Sequence, residues 1–113
     1  MEGASTATGP FFQRYPAALD VWAEGLREAQ RGAIWGLASH WTHSQAVAQI
    51  VLPTGVGKTL VMTAAPFVRR CRRVMVVSPS VVVRQQLAEA FTYFADLKRA
   101  HAISEDVAEP RVL

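Results

Sequence analysis

Gly55, Gly57, Lys58 and Thr59 stand close together behind Pro53 and Thr54, with Val56 between the glycines. These residue types suit one task, holding a chain of phosphates. Phosphate oxygens need many donors in a tight concave nest. Backbone N–H groups can supply them only where side chains stay clear, and glycine allows both the close approach and the unusual backbone angles. A helix beginning near Lys58 would aim its free N-terminal amides and the positive end of its dipole at the same oxygens. Lys58 would place a cation on the terminal phosphates, and the Thr59 hydroxyl would be offered to Mg²⁺. With Thr54 and Val56 completing the loop, residues 52–59 read as a phosphate-binding P-loop for a nucleoside triphosphate. The run Thr-Gly-x-Gly-Lys-Thr arises by chance in about one chain in ten thousand of this length. The bland alternative is an ordinary glycine-containing turn between a strand and a helix. One departure is Leu52, which stands where the general pattern has Gly or Ala.

The elements that would position this loop follow from the apolar pattern. Residues 46–52 form a nearly continuous apolar run, broken by Gln49 and stopped by Pro53. Such a run suits a strand covered on both faces. A helix follows from Lys58. Pro66 lies within it, and its ring would clash with the carbonyl of Met62, so a kink or an early end is expected. Residues 73–77 form a second apolar strand. Ser80 then caps a helix reaching to about Phe94, with Val83, Leu87, Phe91 and Phe94 inward. Upstream, Pro16 can start a helix through Trp22, closed near Gly25. A second helix at 27–41 carries the stripe Ile34, Leu37, Ala38 and Trp41. The order strand, loop, helix, strand, helix predicts an α/β fold, a parallel sheet flanked by helices. Residues 1–15 read as a flexible leader, 16–97 as the folded part and 98–113 as an irregular tail.

Composition sets outer limits. The chain has 113 residues, half of them hydrophobic, and a net charge of +3. That is a globular balance for one small domain. The basic surplus permits nucleic-acid binding without showing it. Cys71 is the only cysteine, so no disulfide can form within the chain. His40, His43 and His101 lack a metal-ligand spacing. No stretch reaches the roughly 18 apolar residues of a membrane span, and the first ten residues lack the pattern of a signal peptide. A cytoplasmic protein is the expectation.

Three local matches resemble one group, the superfamily 2 helicases and translocases, in the flavour of the type I and type III restriction-enzyme motors and DEAD/DEAH helicases. Residues 53–59 resemble the first ATPase motif. Leu26-Arg27-Glu28-Ala29-Gln30, followed by Ala33-Ile34, resembles the upstream Leu-Arg-x-x-Gln element. Residues 73–80, with Arg84-Gln85-Gln86 after them, are similar to motif Ia. The resemblance covers about 26–94. It implies the N-terminal part of a RecA-like motor domain that uses ATP and Mg²⁺ and acts on DNA or RNA, DNA being favoured. It implies that Gln30 reads the adenine edge, a task for which an amide has matching donor and acceptor. It implies that Ser78, Pro79 and Ser80 approach the phosphates of a bound strand. Arg69, Arg70, Arg72 and Arg73 read as a solvated structural face, since a basic helix end suits the dipole.

An ATPase of this kind also needs acidic residues that hold Mg²⁺ and orient water. After Lys58 the carboxylates are Glu89, Asp96, Glu105, Asp106 and Glu109, and none follows a strand-like apolar run. The expectation is therefore an incomplete motor domain that binds ATP without steady turnover and requires downstream motor sequence. The alternative is a non-catalytic nucleotide-binding module that works through a partner protein. A small-molecule kinase fits less well, because it has no use for the upstream Gln30 element. In the motors resembled, the two strands at 46–52 and 73–77 are not neighbours. Their edges would then be unpaired, which predicts marginal stability for the chain alone.

Overall fold

A computed structural model describes residues 10–14, 19–53, 55 and 57–113. Among the described residues five helices run in chain order: α1 (Phe11–Arg14), α2 (Glu28–His43), α3 (Lys58–Arg69), α4 (Val81–Tyr93) and α5 (Ala95–Arg99). Among the described residues there is no β-strand. This corrects the expected α/β fold with a parallel sheet. Residues 46–52 and 73–77 are not strands of a ladder, and no backbone hydrogen bond joins the two stretches. Apart from the half-buried Ala48 and Leu52 their side chains are exposed, Val47 at 93% and Met75 at 87%. The physical reason is that an extended segment leaves its backbone groups unsatisfied until a neighbour supplies partners. Apolar content marks a segment that could enter a sheet, but it does not provide the second strand.

The helices instead satisfy their own backbone and close a core around aromatic rings. Phe11 and Phe12 of α1 insert between Phe67 of α3 and Phe94 at the end of α4. Phe11 stacks on Phe94 at 5.8 Å between ring centres, and Phe12 meets Phe67 edge-on at 4.8 Å. Phe94 is only 1% exposed. It is also the C-cap of α4, in the left-handed region at φ 51°, and its N–H donates to the Ala90 carbonyl. A bulky residue is uncommon at positive φ. Burial of its ring among Phe11, Phe12, Phe67 and Phe91 offsets the backbone cost.

Local signals explain most helix bounds. The Ser80 hydroxyl accepts from the Val83 N–H and caps α4. Leu87 and Phe91 lie in the core as the spacing predicts, whereas Val83 is largely exposed. Helix α3 continues through Pro66 to Arg69, and Arg70 closes it in the left-handed conformation. The helix expected at 16–22 is not present where it can be seen: 15–18 lie outside the described residues, and 19–22 are non-helical. The turn there is packed instead. The Asp20 N–H donates to the Ala102 carbonyl at 2.6 Å. A Cβ on Gly25 would lie 2.7 Å from the Ala100 carbonyl oxygen, so only glycine allows this approach.

Past α5 the chain is irregular but not loose. Ala100, Ala102, Ile103 and Val107 are buried in the same core, and the Lys98 ammonium donates to the Val107 carbonyl. Cys71 is a free, half-buried thiol. Burial pushes its pKa up, against a smaller downward pull from Arg69. Among the described residues, no helix is long and apolar enough to cross a membrane.

Candidate nucleotide site

The site is built where the start of α2 faces the loop before α3. Gly55 lies at φ 90° and Gly57 at φ 80°, both in the region that favours glycine. Gly57 is the N-cap of α3, so Lys58 and Thr59 occupy the first helical turn. No acidic residue lies in that turn to compensate the helix amides. Lys58 is exposed and Thr59 half-buried. The first amides of such a helix have no intrahelical acceptor, so this end is electrically suited to an anion. Thr54 and Val56 lie outside the described residues. Leu52 is half-buried beside the exposed Pro53.

Two residues of the upstream element clasp the loop. Arg27 is the N-cap of α2 and extends its guanidinium to the Gly55 carbonyl at 2.5 Å. Gln30, one turn into α2, donates from Nε2 to the Gly57 carbonyl at 3.3 Å. Its Oε1 accepts the Arg27 N–H at 2.9 Å, which also closes the first turn of the helix. Gln30 is 5% exposed. A Cβ on Gly57 would meet its Nε2 and push the amide off the Gly57 carbonyl, while the positive φ itself favours glycine there. With both amide ends engaged, Gln30 retains one N–H and one lone pair for any other partner. Arg27 was not singled out for a role from the sequence. Its signal was its place three residues before Gln30, where an N-cap belongs.

A cleft of about 260 Å³ opens beside the first turn of α3, and Thr59 and Thr63 line it together with Gln86, Glu89 and Asp96. Two carboxylates that had no motif in the sequence thus share a cleft with Thr59. Asp96 pairs with Arg99 at 3.0 Å on the exposed side. The Thr63 hydroxyl is turned away to the Leu60 carbonyl. Among the described residues, no group of three His, Cys, Asp or Glu side chains could hold a metal ion.

Ser78, Pro79 and Ser80 lie apart, at the entry to α4. The Ser78 hydroxyl is half-buried and accepts the Ser80 N–H at 3.3 Å, while Pro79 is exposed. The basic run has two fates. Arg69 lies over the Trp41 ring at 5.2 Å, whereas Arg72 and Arg73 line a different cleft, with Ser78.

Searches of curated proteins and of solved structures gave no match to this chain. A family model described as "Type III restriction enzyme, res subunit" matches residues 24–111, a span that holds Gln30, the glycine loop and the segment around Ser78. The chain belongs to this family of helicase-like motors.

Proposed function

We propose that the chain binds ATP with Mg²⁺ as part of a helicase or translocase motor that acts on nucleic acid, DNA in preference to RNA. The observation that carries the reading is the clasp: Arg27 and Gln30 hydrogen-bond to the carbonyls of Gly55 and Gly57. It joins the upstream element to the glycine loop, which is the juxtaposition an adenine-and-phosphate site requires. In this reading Thr54, Gly55, Val56 and Gly57 cradle the phosphates through their backbone. Lys58 supplies the cation, and the Thr59 hydroxyl holds the Mg²⁺ that neutralises phosphate charge. The fit rests on the two positive-φ glycines and on the helix N-terminus that follows them. Gln30 turns its remaining N–H and lone pair to the adenine edge. Ser78, Pro79 and Ser80 meet the phosphates of the nucleic acid.

Binding without steady turnover is the expected behaviour of these residues. Glu89 and Asp96 are the carboxylates in the Thr59 cleft, and Asp96 is already paired with Arg99. The test is a titration of a fluorescent ATP analogue and its GTP counterpart, with Mg²⁺ or with chelator. The native chain should prefer the ATP analogue and bind it better with Mg²⁺. Thr59→Val should lose the Mg²⁺ effect, and Gln30→Ala should lose the base preference. No binding by the native chain would end the reading.

A further inference from the structure

Helix α2 has two faces with opposite fates. Gln30, Ile34 and Leu37 point inward and are buried. Gly32, Trp35, Gly36 and Ser39 are exposed, at the three-and-four spacing of one outward stripe, with the exposed Glu28 and His43 at its ends. Nothing inside the chain calls for the two glycines. A Cβ on Gly32 or Gly36 would meet no atom within 4 Å, and neither glycine has a positive φ. Glycine weakens a helix interior relative to alanine, so bare backbone held open here suits the close approach of another surface.

The stripe is bordered by aromatic rings. Trp35 is 46% exposed and Trp22 72%, and the two rings pack edge-on at 5.9 Å. The Arg31 guanidinium is tied to the Val21 and Ala23 carbonyls and lies over the Trp22 ring. No charge therefore interrupts the stripe between Glu28 and His43. Exposed aromatic area beside an uncharged face is the make-up of an interface core.

The pattern is complementary to itself. When a second α2 is laid antiparallel about a two-fold axis midway between Trp35 and Gly36, Trp35 meets the partner's Gly36. Gly32 meets the partner's Ser39, and Glu28 meets the partner's His43. A large ring falls on a residue without a side chain, and a carboxylate falls on an imidazole. Among the described residues the Glu28 and His43 side chains make no ion pair or hydrogen bond, whereas His40 is engaged with the Ala46 carbonyl. A parallel copy would set Glu28 against Glu28 and oppose like dipole ends.

We propose that the outward face of α2 is the two-fold interface of a homodimer of this chain, with Trp35 of each protomer seated on the partner's Gly36 and Trp22 widening the contact. One helix face is a small interface, so the dimer is weak, with a Kd of micromolar order. Gln30 lies on the inward face, and the proposal is independent of the ATP reading.

The experiment is sedimentation velocity of the full chain over a concentration series. The native chain should dimerise, and W35A should raise the Kd at least ~tenfold. G32A/G36A should also raise it, although alanine strengthens the helix and should raise the Tm of the dilute monomer. E28K should weaken the dimer, and E28K/H43E should restore it. M75K should leave the Kd unchanged. Should W35A fail to fold, the charge-swap pair decides. A native chain that stays monomeric would overturn the proposal, as would a dimer indifferent to W35A or one that E28K/H43E does not restore. Loss of the dimer in M75K would move the interface to the extended run and overturn it. A monomer whose tryptophan emission shifts to the blue on anionic lipid vesicles would make the face a membrane contact and overturn it too.

Discussion

The aromatic core and the two extended apolar runs are made of similar residue types and meet opposite ends. Phe94 and Leu97 are sealed inside. Val47, Val51, Met75 and Val77 face water. The difference is where the backbone finds its hydrogen bonds. A helix finds them within itself, so its apolar face is free to pack once formed. An extended run needs another strand before burial becomes affordable. Hydrophobicity selects what can be buried, whereas backbone pairing decides what is buried here.

Substitutions can break or sharpen that contrast. The largest effect belongs to Phe94→Ala, which empties the centre of the aromatic cluster. It should cost about 3–5 kcal/mol, read as a shift of the urea midpoint or loss of the unfolding transition. A cost below about 1 kcal/mol would show that the cluster is not the core. Gly25→Ala comes next. Its Cβ would meet backbone atoms of Ala100, which cannot move aside as a side chain can. A loss of roughly 1–3 kcal/mol is expected, and native stability would deny the close packing of the tail. The smallest effect belongs to Met75→Lys, in the extended run. Stability should stay within about 0.5 kcal/mol, while light scattering should fall as an exposed apolar edge gains charge. A large loss of stability would mean that this run is buried in a paired sheet.

The same physics separates what was legible in the sequence from what was not. Three helices announce themselves through period and caps: Ile34 and Leu37 in α2, the Gly57 boundary of α3, and Ser80 with Leu87 and Phe91 in α4. The runs at 46–52 and 73–77 misled, because a continuous apolar segment looks the same whether or not a partner strand is present. Phe11 and Phe12 carried no period in the sequence, yet their rings pack on Phe67 and Phe94. The tail carries Ala102, Ile103 and Val107 without a period, so its packing had no local signature. At the site, the glycine loop and Gln30 were visible as motifs. The hydrogen bonds that join them, and the role of Arg27, needed the fold. So did the gathering of Arg84 and Arg111 with Arg72 and Arg73 along one cleft, since they are distant from that pair in the chain.

The central claim is that the glycine loop at the start of α3 holds the phosphates of ATP. Lys58→Ala tests it most directly, because Lys58 is exposed, makes no described contact that supports the fold, and is removed without touching the core. Loss of a charge-assisted contact worth about 1.5–3 kcal/mol should weaken binding of a fluorescent ATP analogue roughly ten- to a hundredfold. Unchanged circular dichroism would show that the helices remain. Equal affinities of the native chain and Lys58→Ala would contradict the account.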